Sequence, residues 1–170
     1  MAISAWWRRR WVRYLTEALV FVAIFAAIAT WQKRHMAEGP APTLVATTLA
    51  GDPFDLHAPR AGPVLVHFWA SWCPVCKAEE GTIEALAADP ERRVITIAME
   101  SGDAAEVRAH LAERGLELPV IVDEQGRLAA AWGVRGVPAT FVVDATNAIR
   151  FREMGYTTGP GLRLRLWWAE

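Results

Sequence analysis

Residues 18–29 are apolar without interruption, and the wider stretch 15–31 has only Thr16, Glu17 and Thr30 as polar members. As a helix that stretch spans about 25 Å, near the short end of what crosses a bilayer. Beyond it the pattern changes to short apolar runs separated by turn signals. Residues 44–49 and 54–56 flank Ala50-Gly51-Asp52-Pro53, which predicts a small β-hairpin. Residues 63–69 are a nearly continuous apolar run, the pattern of a central strand buried on both faces. A helix is predicted from about Cys73 to Ala87, with Ile83, Leu86 and Ala87 spaced for one face, and Asp89-Pro90 ends it. Strands follow at 93–98, 119–122, 140–143 and 149–154, and short helices at 104–114 and 126–132. Ser101-Gly102-Asp103 supplies the cap of the first of these helices and Gly115 its stop. The tail, Leu162-Arg163-Leu164-Arg165-Leu166-Trp167-Trp168, alternates like a strand, yet its place after Thr157-Thr158-Gly159-Pro160 also allows a closing helix. Alternating strands and helices ending in two adjacent strands predict an α/β domain, a mixed central sheet with helices on both faces.

Charge divides the chain. Residues 1–35 hold six Lys/Arg against one acid, whereas residues 36–170 hold twelve against eighteen. The net charge of −1 gives no nucleic-acid footprint. The expected organisation is a basic cytoplasmic N-terminus at 1–14, a transmembrane anchor at 15–31, a polar Gly/Pro linker at 32–43 and a globular domain at 44–170. Arg8, Arg9, Arg10 and Arg13 precede the apolar stretch, and Lys33 and Arg34 follow it. The larger basic cluster stays cytoplasmic, which places the domain outside, and Trp11, Tyr14 and Trp31 stand where an aromatic belt would lie. A cleaved signal peptide ending at Ala27-Ile28-Ala29 and a buried core helix are the competing readings. Anchor and signal both export the domain, to an oxidising compartment if the source is bacterial.

The two cysteines, Cys73 and Cys76, are too few for a disulfide scaffold or a four-cysteine zinc site. They form a Cys-Pro-Val-Cys element where the buried strand gives way to a helix. The first cysteine falls at the helix N-terminus, where free N–H groups and the dipole favour a thiolate. Cys76 lies about one turn on, close enough to close a disulfide. Pro74 in the first turn costs little, because its missing N–H would have no intrahelical partner. A redox dithiol suits this strand–turn–helix context. Half of a zinc site, a two-thiolate Cu(I) site and a purely structural disulfide are the alternatives.

Trp-Cys-x-x-Cys-Lys after an apolar strand resembles thioredoxin, and Val134-Arg135-Gly136-Val137-Pro138-Ala139-Thr140 resembles that superfamily's second signature. The resemblance implies the thioredoxin-like fold and a cis Pro138, preceded by Val137, facing the dithiol. It also implies an exposed Cys73 that attacks and a more covered Cys76 that resolves, the Cys73–Cys76 couple being the only redox group, with no metal and no further cofactor. The hairpin, Trp-Ala-Ser-Trp-Cys-Pro-x-Cys and Glu79 are similar to the membrane-anchored TlpA-like branch. Within it, Ser101-Gly102-Asp103 and the ending Gly-Leu-Arg-Leu-Arg-Leu-Trp are similar to the suppressor-of-copper-sensitivity protein D subgroup, which implies a closing helix and a part in copper tolerance. Protein thiols and disulfides of the periplasm, and a membrane electron donor of the DsbD type, are the implied partners, with the domain on the outer face of a bacterial inner membrane. A neighbouring branch reduces substrates for cytochrome c maturation. The superfamily's buried aspartate, six residues before the first cysteine, is His67 here. His67 and Glu79 are thus candidates to move a proton at Cys76, or else a satisfied core histidine and a solvated carboxylate. Trp72, Pro74 and Val75 are expected to support the site, Trp69 and Trp72 by packing. Lys77 is expected to be solvated. Met36 and Met99 are expected to be linker and core residues.

Overall fold

The computed structural model describes residues 2–170, apart from the side chains of residues 2–6, 8, 9, 25 and 29; Met1, the side chains of Arg8 and Arg9 in the basic cluster and that of Ala29 at the candidate cleavage site lie outside the described residues. The chain divides into two units, residues 1–34 and 35–170. The first is a single helix, α1 (Ala2–Lys33). It runs through the basic segment as well as the apolar one, and Arg10–Lys33 is long and apolar enough to cross a membrane.

In the second unit, β1 (Gly39–Pro40) leads to the hairpin of β2 (Val45–Thr47) and β3 (Pro53–Asp55). Then follow β4 (Val64–Trp69), α2 (Pro74–Ala87), β5 (Arg93–Met99), α3 (Ala104–Arg114), β6 (Val120–Asp123), α4 (Arg127–Ala131), β7 (Ala139–Val143), β8 (Ala148–Met154) and α5 (Gly159–Trp168). The main sheet has the order β1-β8-β7-β4-β5-β6. Strands β4, β5 and β6 are parallel, and β7 and β8 return antiparallel. This is the thioredoxin-like α/β fold, with a mixed sheet as expected.

All six residues of β4 are buried, which explains the continuous apolar run. Val64, Val66 and Phe68 face a core with Trp132, Phe141, Leu44 and Leu56. Leu65 faces the opposite layer with Ile83 and Leu86 of α2 and Leu162 and Leu166 of α5. Each such side chain contributes about 1.5–3 kcal/mol through burial. Helix α3 begins at a complete capping box, in which Asp103 accepts from the Ala105 and Glu106 N–H groups while Glu106 reaches back. It ends at Gly115 in the left-handed conformation.

The tail is a helix. Leu162 and Leu166, one turn apart, are buried and Leu164 faces solvent, so the alternation marks one face of α5 rather than one face of a strand.

The linker expected at 32–43 is corrected. Residues 32 and 33 end α1, and the folded unit starts at His35 rather than Leu44. Met36 and Ala41 are buried in the core, so Met36 is no linker residue. The Ala37 N–H donates to the Trp132 carbonyl at 2.9 Å, and the Met36 carbonyl accepts from Arg152 at 2.6 Å. The segment crosses so close to Gly133 that a Cβ there would lie 1.8 Å from the His35 carbonyl oxygen, and φ is +66°. Glycine and proline signalled a loop, but a two-residue edge strand accommodates both.

Candidate active site

Strand β4 ends at Trp69, and the chain turns through Ala70-Ser71-Trp72 into α2. Cys73 is the N-cap of α2, with extended φ/ψ of −89° and 113° and Pro74 directly after it. Its Sγ accepts the Cys76 N–H at 3.1 Å. One donor that the helix start leaves unpaired is thereby aimed at the sulfur, and the helix dipole points the same way. Cys73 and Cys76 form a disulfide, with Cα atoms 5.3 Å apart. The Val137–Pro138 bond, in the turn before β7, is cis. It brings the Val137 carbonyl oxygen to 3.4 Å from Cys73 Sγ.

Several expectations change here. Cys73 is not the open cysteine: its exposure is 3% and that of Cys76 is 2%. The asymmetry lies in donors, since the sulfur of Cys73 takes the helix N–H. Trp69 packs inside, but Trp72 does not; Trp72 is 58% exposed. Its indole N–H donates to the Glu100 carbonyl at 3.0 Å. Next to it the Ser71 N–H donates to Ser101 Oγ at 3.0 Å, and that hydroxyl donates to the Met99 carbonyl. The turn after β5 therefore braces the loop before Cys73, a role no pattern in the sequence announced. Val75 and Lys77 are exposed, and Met99 is in the core.

Glu79 is fully buried rather than solvated. Its Oε1 accepts the Thr157 N–H at 3.0 Å, and its Oε2 has no hydrogen-bond partner among the described residues. Burial pushes its carboxyl up to about 7, the Thr157 N–H offsetting only part of this. Thr157 was invisible to sequence reasoning, because 78 residues separate it from Glu79. His67 is also buried, its Nδ1 2.9 Å from Thr140 Oγ1, and burial lowers its imidazole to about 3. His67 is a neutral, hydrogen-bonded core histidine around neutral pH.

These two groups have opposite effects on stability. The folded state holds the Glu79 proton more tightly than an unfolded chain does, so stability falls as pH rises from about 4.5 to about 7. The folded state gives up the His67 proton more readily, so stability is lost as pH falls from about 6.5 towards 3. Between about 4.5 and 6.5 the contributions oppose each other. Urea unfolding of Glu79→Gln is expected to show stability rising with pH across that window, by up to about 1.4 kcal/mol per unit. His67→Gln is expected to show it falling, with the wild type between them. Superimposable profiles for the three proteins would contradict both burial effects.

Residues 36–162 match the Redoxin family model. The chain is 32% identical to the thiol:disulfide interchange protein DsbE of Escherichia coli, over 92% of this chain and 89% of that protein. A thioredoxin-like protein of Haemophilus influenzae is 27% identical, over 92% of each. Among solved structures, a DsbE-type protein of Chlorobium tepidum superposes with a TM-score of 0.69 at 21% identity, covering 79% of this chain and 98% of that one. A secreted disulfide oxidoreductase of Mycobacterium tuberculosis superposes at 0.61 with 26% identity, covering 73% and 94%. A dithiol pair capping a helix opposite a proline loop thus sits on a chain matched nearly end to end by such proteins. The chain belongs to the Redoxin family of the thioredoxin superfamily, among the DsbE-like thiol:disulfide interchange proteins, and it is a thiol–disulfide oxidoreductase.

Proposed function

We propose that this oxidoreductase is held in a bacterial inner membrane by α1 and exchanges disulfides with exported partner proteins. The observation that carries the exchange chemistry is the placement of Cys73 Sγ, which receives the Cys76 N–H and lies beside the Val137 carbonyl. A thiolate there is stabilised by the helix start, and a partner chain laid along the Val137–Pro138 loop would present its sulfur to it. Cys73 attacks the partner disulfide, a mixed disulfide forms, and Cys76 resolves it. In this reading the Cys73–Cys76 couple is the whole redox equipment, Trp72, Pro74, Val75 and Glu79 shape the site, and a membrane donor of the DsbD type recharges it. Equilibration of the full-length chain with glutathione buffers tests the couple; a potential near that of other reducing dithiols supports partner reduction.

The subgroup assignment is also a proposal. The tail and the Ser101-Gly102-Asp103 turn support a place near the suppressor-of-copper-sensitivity proteins. The likeness to DsbE over 92% of the chain favours the second reading, a dedicated reductant for cytochrome c maturation. Partners trapped by a Cys76→Ser chain separate the two: apocytochrome thiols as the captured species support the second.

The anchor rests on the length and composition of α1, whose described side chains between Arg10 and Lys33 are not buried in protein. Arg10 and Arg13 at its start set the domain outside. N-terminal sequencing of the membrane-extracted protein is expected to return the intact basic segment; a mature chain starting at Thr30 would make the segment a cleaved signal.

A further inference from the structure

Two glutamates follow Cys76 on α2, at three and four positions on, and both are buried. Glu79 turns to Thr157. Glu80 turns to α3, where Arg114 holds its Oε2 through Nε at 3.0 Å and Nη2 at 2.8 Å. His110 Nε2 lies 3.6 Å from Glu80 Oε1, and its ring is 5.5 Å from that of Trp69. Glu80 Oε1, His110 Nε2 and the Trp69 indole N–H are buried polar atoms with no hydrogen-bond partner among the described residues. A small cavity adjoins them, lined by His67, Trp69, Cys76, Glu80 and the apolar side chains of Ile83, Leu116 and Leu118. It has room for about one water, and unpaired polar atoms at its wall are what such a water needs.

A buried carboxylate with one oxygen paired to a guanidinium and the other near a histidine but without a hydrogen bond, at a cavity shared with the resolving cysteine, is costly for stability alone. We propose that Glu80 is the proton acceptor for Cys76 during resolution, through a single water in this cavity, with His110 passing the proton outward. This rests on the reading of Cys73 as the attacking and Cys76 as the resolving thiol. One proton leaves Cys76 Sγ for the water as another leaves the water for Glu80 Oε1. The Cys76 thiolate attacks Cys73 Sγ of the mixed disulfide, forming the Cys73–Cys76 bond. The bond between Cys73 and the partner sulfur breaks, and the partner departs as a thiolate with the electron pair. In the reverse direction Glu80 returns the proton. The charged and titratable groups facing Glu80 are Cys76 on its own helix, His67 across the cavity, and His110 and Arg114 on α3. Arg114 neutralises the acceptor, and His110, with a side chain 12% exposed, is the titratable group beside its Oε1.

The reduced full-length chain in detergent, mixed with excess dithiobis-nitrobenzoate, releases one coloured thiolate when Cys73 attacks and a second when Cys76 resolves. Glu80→Gln keeps the shape and its contact to Arg114. It is expected to leave the first release unchanged and to slow the second by about a hundredfold at neutral pH, with a rate that climbs with hydroxide. Glu79→Gln is expected to lack that steep climb. A second phase within a few-fold of wild type at every pH would overturn the proposal. So would equal slowing of both phases, which would make Glu80 a brace between α2 and α3. If Glu80→Gln does not fold, Leu118→Phe fills the cavity with the carboxylate intact; a slowed second phase supports the relay and an unchanged one overturns it. A first release that survives in Cys73→Ser at the wild-type rate would instead refute the assignment of the two cysteines, an outcome separate from any on Glu80.

Discussion

A Cys73→Ser chain is expected to lose disulfide exchange down to the uncatalysed rate, whereas Cys76→Ser is expected to keep the attack and accumulate mixed disulfides with its partners. The difference does not rest on burial of the residues, since both cysteines are almost equally covered. It comes from the helix start. Cys73 caps α2 and receives the Cys76 N–H, so negative charge on its sulfur meets a donor and the positive end of the dipole. Cys76 lies inside the first turn, and among the described residues its sulfur receives no corresponding donor. Alkylation of Cys76→Ser should therefore reach its full rate at a lower pH than alkylation of Cys73→Ser. Non-reducing gels of cells producing each variant complete the test. Partner adducts more abundant with Cys73→Ser than with Cys76→Ser would reverse the two roles.

Trp132→Ala is expected to cost about 3–5 kcal/mol, a large fraction of the roughly 5–15 kcal/mol that holds an ordinary domain folded. The indole is fully buried, 4.9 Å from the Phe141 ring and 5.9 Å from the Phe68 ring, both in edge or tilted contact. It joins the central strands to the covering layer, and its own carbonyl ties down Ala37. Trp132→Phe keeps most of the ring contact and sheds an indole N–H that has no partner among the described residues, so its cost should be well under half that of alanine. Urea unfolding of the three proteins checks both figures. Equal losses for alanine and phenylalanine would mean that the indole N–H, not the packing, stabilises this core.

Local chemistry made α3 readable to the residue, because Asp103 and Gly115 mark its two ends at the helix itself. The unbroken apolar run of β4 was equally plain, since a strand covered on both faces has no polar alternation to obscure it. The segment 35–43 was not, because what holds it are bonds to Trp132, Asn147 and Arg152, about a hundred positions on. The same separation hid the site's depth. Cys-Pro-Val-Cys showed where the sulfurs stand, and the Gly-Val-Pro-Ala-Thr loop showed what faces them. The covering of Cys73, the N–H of Thr157 on Glu79 and the contact of His110 and Arg114 with Glu80 are all products of packing. Consecutive glutamates on a helix read as surface, and here both are interior.

The two sides of the main sheet differ in what they leave open. At one, β1 is two residues long and pairs only with Ala148 and Ile149, so residues 150–154 of β8 have no strand partner on their outer side among the described residues. At the other, the four residues of β6 form the edge, and the Leu49 N–H already occupies the Val120 carbonyl. An extended polypeptide adding itself to this sheet would find the longer row along β8. Arg150 and Arg152 stand on that row, charged side chains of the kind that discourage indiscriminate edge pairing.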